Sequence, residues 1–414
     1  MAQHSVNRDQ PPVNAVMVLP AADAFRNYHR DLPLVGDPLK NPLTLTDDLL
    51  LYLVAAVRNI PREPPVITTA DWDHFIHTLR PHGILPFIRS HIRSWPVSCQ
   101  PPPEITSLLD AMFLRSAARN LLIGRQLESV LAAMQGAGIP VVLLKGQALG
   151  YTIYGDPAVR LSLDIDLLVK PGDVDGCDAV LRGLGYSCPV RHFTRSQSEV
   201  HHDSYSPSGP GVKIELHWTP SFTFPMFPGD WLDKAFERKI SIREGGFSWF
   251  TLDPVDHLIY LIFHNIVQHF SLRIDWICDM AFLMDSLRVP QDWERLREQC
   301  IALHLLIPLQ HALTAADLWC GVEMPAGSYG VTPLPPPSEQ DTRIWENVTN
   351  RRQNLRSSLS LKMRGIPGIQ KKLQFLWHFI FPPAERLQRY RKSSSQVDIP
   401  LAHLRRWCSI LRFL

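Results

Sequence analysis

The chain has 414 residues, enough for two or three folding units and a sizeable buried core. Hydrophobic residues at 45% and charged residues at 20% exclude wholesale disorder and a fibrous repeat. A formal net charge of +2 is too small to argue for nucleic-acid binding from global charge.

Prolines 11, 12, 20, 33, 38 and 42 among polar residues mark 1–42 as a disordered leader. Its apolar patch, Ala15 to Ala22, is broken by Pro20 and too weak for a secretory signal. From 43 to 138 helical spacing dominates. Thr46-Asp47-Asp48 offers a cap before Leu49, Leu50, Leu53 and Val54, and Thr69 or Asp71 offers one before Trp72, Phe75, Ile76 and Leu79. Between Ile105 and Gln135 apolar residues recur at three and four, which predicts a long helix ended by Gly136-Ala137-Gly138.

Ile139-Pro140-Val141-Val142-Leu143-Leu144 reads as a strand buried on both faces, and Gln147 to Tyr154 as one or two helical turns. Further strands are expected at Leu163 to Lys170 and Ser187 to Phe193, with a helix from Asp173 to Leu184 between them. Val200 to Tyr205 and Val212 to Trp218 form a predicted hairpin around the Ser206 to Gly211 turn. The span 139–220 is therefore a mixed α/β unit. Helical spacing returns in Val255 to Val267, Ile274 to Leu287 and Leu303 to Leu318, so 221–330 is read as a helical region packed on that unit.

Residues 331–414 are read as a basic, partly helical region. Between Arg343 and Lys392 there are twelve basic residues against two acidic ones, and Leu401, Leu404, Trp407, Ile410 and Leu411 with Arg405, Arg406 and Arg412 suggest a basic amphipathic helix. This region suits RNA or another polyanion, an anionic membrane surface, or plain solvated charge around a helical hairpin. Nucleic-acid binding and peripheral membrane contact are permitted by it and not predicted. No apolar run reaches the length of a spanning helix, and seven widely spaced cysteines without a C-x-x-C pair suggest neither a disulfide framework nor a cysteine zinc site. A cytoplasmic chain with reduced thiols is expected.

The most informative segment is Leu163-Asp164-Ile165-Asp166-Leu167-Leu168-Val169. In a strand, Asp164 and Asp166 project from one face while Ile165 and Leu167 point from the other. Two neighbouring carboxylates repel unless a cation lies between them, and ligation by oxygen alone suits Mg²⁺. Taken by itself the tripeptide is more often a strand end with two solvated acids. Two further features change that balance. Lys145-Gly146 stands where a buried strand ends and a short helix starts, a place where backbone N–H groups can hold phosphate. Ile214-Glu215-Leu216-His217-Trp218 repeats the alternation and puts Glu215 and His217 on one face. A glycine turn with three strand-borne acids is what two-metal phosphoryl chemistry needs.

The stretch LLKGQALGYTIYGDPAVRLSLDIDLLVKPGDVDGCDAVLRGLGY, followed by KIELHW, closely resembles the family of uncharacterised nucleotidyltransferases of the DNA polymerase β-like superfamily. The likeness runs upstream through QGAGIPVVLLKG and downstream through LIYLIFHNIVQHFSLRIDWICDMAFLMD, covering roughly residues 45 to 320, and FPPAERLQRYR resembles the family's tail. The pattern Lys-Gly, Arg, Asp-x-Asp, Glu-x-His-Trp falls on Lys145-Gly146, Arg160, Asp164-Ile165-Asp166 and Glu215-Leu216-His217-Trp218. The resemblance implies an α/β, or α+β, fold: a polymerase β-like palm with a mixed sheet, flanked by helical regions.

For the site it implies Asp164, Asp166 and Glu215 as metal ligands for Mg²⁺ or Mn²⁺, and Gly146 near a nucleoside triphosphate such as ATP. Lys145 and Arg160 are candidates for pairing with phosphate oxygens, and Glu215 or His217 for proton transfer. Structural roles compete: Lys145 can simply cover the strand end, and Arg160 can pair with a neighbouring carboxylate. Gln147 stands where the wider superfamily usually has Gly or Ser, and seventeen residues separate Gly146 from Asp164, a longer spacing than usual. His264 and His269, five apart, align poorly on a regular helix, and His201-His202 is assigned no role.

The expected activity is Mg²⁺-dependent transfer of a nucleoside monophosphate from an NTP to an unidentified hydroxyl or phosphate acceptor. The alternatives are a noncatalytic binding or scaffold module on the same fold, or a kinase that moves only the γ-phosphate.

Overall fold

The computed structural model describes residues 44–189, 201–220, 230–244, 247–269, 273–322, 332–350 and 368–380, with single positions 20, 21, 24, 191, 227 and 363. Most of the leader, the tail motif FPPAERLQRYR and the amphipathic stretch 401–412 lie outside the described residues, as does most of the basic segment.

Helices α1 (Asp47–Val57), α2 (Thr69–Leu79), α3 (Leu85–Ile92) and α4 (Pro103–Gly136) come first. Thr46 caps α1 through its side chain, as its position suggests. The cap of α2 is Thr68, one residue before the expected candidates. Its hydroxyl accepts the Asp71 N–H while Asp71 Oδ2 accepts the Thr68 N–H at 3.0 Å, a reciprocal capping box.

The middle of the chain supplies β1 (Val142–Leu144), β2 (Asp164–Leu168), β3 (Tyr186–Ser187), β4 (His202–Pro207) and β5 (Lys213–His217), with α5 (Val174–Gly183) between β2 and β3. After α6 (Trp231–Arg238) a second hairpin adds β6 (Ile240–Glu244) and β7 (Phe247–Thr251), so the sheet extends beyond the 139–220 span. Strand order is β3-β4-β5-β2-β1-β7-β6. The pairs β1·β7 and β2·β5 are parallel and the others antiparallel, so the fold is mixed α/β with flanking helices.

Register explains how the sheet divides its duties. Asp166 lies opposite both Leu144 of β1 and Glu215 of β5, so these share a face with Val142, Asp164, Leu168 and His217. The apolar members of that face, Val142, Leu144 and Leu168, join one core with α1 to α3 and with α7 (Pro254–Leu261), α8 (Ile274–Ser286), α9 (Pro290–Ala302) and α10 (Leu306–Cys320). Leu143, Ile165, Leu167, Ile214 and Leu216 point the other way, into a second core with α5 and the C-terminal half of α4. Burial on both faces is why these strands are so apolar.

Beyond α10 lie α11 (Glu339–Asn350) and α12 (Ile369–Ile380). Arg58, the C-cap of α1, donates to the carbonyls of Asp317, Leu318 and Trp319 at the end of α10. A cation at a helix C-terminus meets both the unpaired carbonyls and the negative end of the dipole. No helix among the described residues is long and apolar enough to cross a membrane.

The tightest backbone approach near the site is at Gly150, where an added Cβ would lie 2.9 Å from Pro157 Cα. Gly150→Ala is therefore expected to lower stability by about 1–3 kcal/mol, the usual range for overpacking. At Gly136 an added Cβ meets nothing within 4 Å, so Gly136→Ala serves as the control with an unchanged or higher urea midpoint.

Candidate active site

Asp164, Asp166, Glu215 and His217 project from one sheet face, as the alternation predicted, and Lys145 reaches them from the turn after β1. Asp166 is almost fully buried, Glu215 and Asp164 are half-buried, and His217 is buried. The Lys145 ammonium lies 3.0 Å from Asp166 Oδ1, and His217 Nε2 lies 3.1 Å from the same oxygen and 3.7 Å from Glu215 Oε2.

These contacts set the charges. Burial alone would depress Lys145, but the Asp166 carboxylate holds its pKa above the ordinary lysine value. Burial works against an ionised Asp166 too, yet Lys145 and His217 keep its carboxyl well below the usual range. His217, which burial would push down, is held up by its hydrogen bonds to Asp166 and Glu215, and the His217 bond lowers Glu215. Asp164 behaves differently: burial and then the Asp166 charge push its carboxyl up to about 6. Lys145 and Arg160 offset this only in part, so Asp164 is the acid of this face that least favours the ionised form.

The turn that delivers Lys145 is strained. Lys145 has φ +46° and ψ −148°, a conformation that L residues rarely adopt, and Gly146 follows with φ +32°. The Lys145 N–H donates to His257 Nε2 at 3.2 Å, and its ammonium donates to His264 Nε2 at 3.1 Å. Both imidazoles act as acceptors here. Burial, then Arg160 and Lys145, push His257 down to about 3, and burial with Lys145 pushes His264 well below its usual value.

His264 owes its position to a feature that sequence periodicity cannot reveal. Residues Ile262–Gln268 continue α7 as a π-helix, so residues five apart come into register. The His264 and His269 rings lie 4.4 Å apart between centroids, and the His269 N–H donates to the His264 carbonyl at 3.0 Å. The poor alignment expected of a regular helix does not apply.

Arg160 is paired with a carboxylate, as its structural role would have it. Its guanidinium forks onto Asp279 of α8, with Nη2 2.6 Å from Oδ2 and Nε 3.0 Å from Oδ1, and both residues are buried. The Tyr154 hydroxyl donates to the same carboxylate at 2.9 Å. Gln147 donates to Asn120 Oδ1 of α4 at 2.6 Å, and Asn120 in turn donates to the carbonyls of Pro157 and Arg160. Gln147 thus ties the turn after β1 to the long helix α4.

Sequence reasoning assigned no role to His201 and His202, which the structure places beside the acids. In the β4–β5 ladder His202 lies opposite His217, and His202 Nε2 is 3.9 Å from Glu215 Oε1. The signal was only partial: a hairpin at Ser206–Gly211 brings His202 onto the face of Glu215 and His217 in the observed register, whereas a slip by one residue would turn it to the other face. Ligand atoms of Asp166, Glu215 and His217 all lie within 4.8 Å of one another, as do ring nitrogens of His201, His202 and His217. The carboxyl of Asp164 adjoins the first group without belonging to it.

A family model described as an uncharacterised nucleotidyltransferase matches residues 68–321. Among solved structures, the chain is similar to an antigenic nucleotidyltransferase-like protein from Paracoccidioides brasiliensis. The identity is 19%, over 49% of this chain and 94% of that one, with a TM-score of 0.32. No curated protein matches.

Proposed function

Because the chain belongs to the uncharacterised nucleotidyltransferase family, we propose that it transfers a nucleoside monophosphate from an NTP to a hydroxyl or phosphate acceptor, with a divalent cation at the acid face. The observation that carries this reading is the register that puts Asp166 beside Glu215, with Asp164 on the same face. Asp164, Asp166 and Glu215 would hold Mg²⁺ or Mn²⁺, hard ions that prefer oxygen. Such an ion supplies neutralisation of triphosphate charge and a lowered pKa for the attacking hydroxyl.

The chain's own groups do the rest. Lys145, on a flexible stem, can pass from Asp166 to a phosphate oxygen, because both partners are anionic oxygens at similar range. Glu215 and His217, with Oε2 and Nε2 3.7 Å apart, can accept the acceptor's proton at Oε2 or share it at Nε2. Gly146 has φ +32° and an added Cβ would come within 3.2 Å of Ser162 Oγ, so the turn that carries Lys145 to the acids favours glycine. With no apolar span among the described helices, a cytoplasmic site of action is part of the same reading.

A second reading has its own observation. Lys145 and His217 already give Asp166 an ammonium and an imidazole as partners, so the face can persist as a noncatalytic binding module. Calorimetry with ATP, GTP, CTP and UTP, with and without Mg²⁺, separates the two. Metal-dependent binding of at least one NTP is expected, and no binding of any would leave only the module. Labelling the α- and γ-phosphates separately then distinguishes nucleotidyl transfer from a kinase. Label from the α-phosphate should appear in the acceptor, and γ-label alone would overturn the proposal in favour of phosphoryl transfer.

A further inference from the structure

We propose that His201, His202 and His217 form a second cation site, specific for a borderline transition ion of the Zn²⁺ or Co²⁺ class and distinct from the oxygen site at Asp164, Asp166 and Glu215. One ring nitrogen from each of the three lies within 4.8 Å of the others, and ring centroids are 4.5, 5.3 and 4.9 Å apart. His202 Nδ1 and His201 Nε2 face each other at 3.2 Å. Two imidazoles bound to one tetrahedral zinc, each at about 2.0–2.1 Å, hold their nitrogens about 3.3–3.4 Å apart. To accept the ion the pair must give up its shared proton and the Gln268 amide 3.3 Å from His201 Nε2, and spread only slightly.

The surroundings match what imidazole ligands require. A ligating histidine normally engages a carboxylate or carbonyl through its other ring nitrogen, which fixes the tautomer and raises its basicity. His217 does this with Asp166 and Glu215 through Nε2, while its Nδ1 is buried without a hydrogen-bond partner. His202 Nε2 faces Glu215 Oε1 at 3.9 Å, leaving Nδ1 turned to His201. A buried imidazole nitrogen without a hydrogen-bond partner costs free energy, and ligation of a borderline cation there would offset it. Ligation by nitrogen disfavours Mg²⁺ and favours zinc-class ions, so the two sites select different metals. Three protein donors leave a fourth position for water or a phosphate oxygen.

The proposal stands apart from the transferase reading, because it requires no nucleotide. The test uses the full chain, stripped with chelator and titrated with ZnCl₂ or CoCl₂ alone. Expected are one equivalent bound at least about 10²-fold more tightly than Mg²⁺, a visible spectrum of tetrahedral Co²⁺, and X-ray absorption with three imidazole nitrogens around zinc. His201→Ala and His202→Ala should each weaken binding at least about 10-fold, a loss that even an outer supporting residue can bring. Asp164→Asn should leave zinc binding unchanged.

Wild-type protein without stoichiometric zinc, a shell of oxygens only, or folded histidine variants that bind as wild type would each overturn the site. The X-ray measurement needs no variant and so survives any misfolding of one. If zinc binds as described while no NTP binds with Mg²⁺, only the transferase reading fails; the reverse pattern sinks this site alone.

Discussion

Asp166→Asn should transfer label from the α-phosphate of an NTP at least about 10³-fold more slowly than wild type, since ligation of the catalytic ions contributes several kcal/mol to the transition state. Asp166 is the hub of the acid face. It meets Lys145 and His217, lies opposite Glu215 in register, and is the most deeply buried of the three acids. The amide keeps the size of the side chain, but it cannot neutralise the Lys145 ammonium it touches. Some loss of stability will therefore accompany the loss of rate, and the melting transition of the variant must be recorded beside its activity. Asp164→Asn separates the two effects, because Asp164 has no ion pair of its own among the described residues and its carboxyl already favours the neutral form more than Asp166 does. A folded Asp164→Asn protein with low activity supports the metal assignment. Folded variants at both positions with wild-type transfer rates would contradict it.

The second large effect is on stability. Asp279→Ala should cost about 3–5 kcal/mol in urea unfolding, the range for breaking a buried ion pair from one side. The substitution strands the Arg160 guanidinium and the Tyr154 hydroxyl in the packed layer between the sheet and α8. Replacing both partners, as Arg160→Met with Asp279→Leu, should restore much of that loss, because two buried charges are costly to desolvate and an apolar pair is not. The double variant also decides what Arg160 does. If the guanidinium serves the fold, NTP binding will survive in the double variant; if it grips phosphate, binding will fall even where stability returns.

Much of this was legible in the residues. The alternation in Asp164 to Val169 and in Lys213 to Trp218 placed both acidic strands and both faces correctly, because strand periodicity is strictly two and one face must be apolar. The long helix α4 followed from its apolar spacing to within two residues at either end. The β6–β7 hairpin was overlooked, although Ile240 to Thr251 alternates around Gly245-Gly246, a strong local turn signal. Two other features had no local signal at all. The π-helical turn at Ile262–Gln268 has ordinary helical apolar spacing, and the partnership of Arg160 with Asp279 joins residues 119 apart in sequence. Periodicity reports which face is buried, not which side chain waits on the opposing element.

The two-sided sheet has a bearing on how the protein is made. The core over the acid face draws on residues from both before and after the strands, with α1 to α3 on one side of the sequence and α7 to α10 on the other. On a translating ribosome, β1 and β2 emerge long before α8 and α10 exist, so Val142, Leu144 and Leu168 must wait with no cover on that flank beyond α1 to α3, while the opposite layer, made from α4 and α5, can already close. The Arg58 clasp on the last carbonyls of α10 can snap shut only when that helix has left the exit tunnel. The nascent chain thus passes through a half-covered stage in which chaperone engagement should concentrate on this one flank.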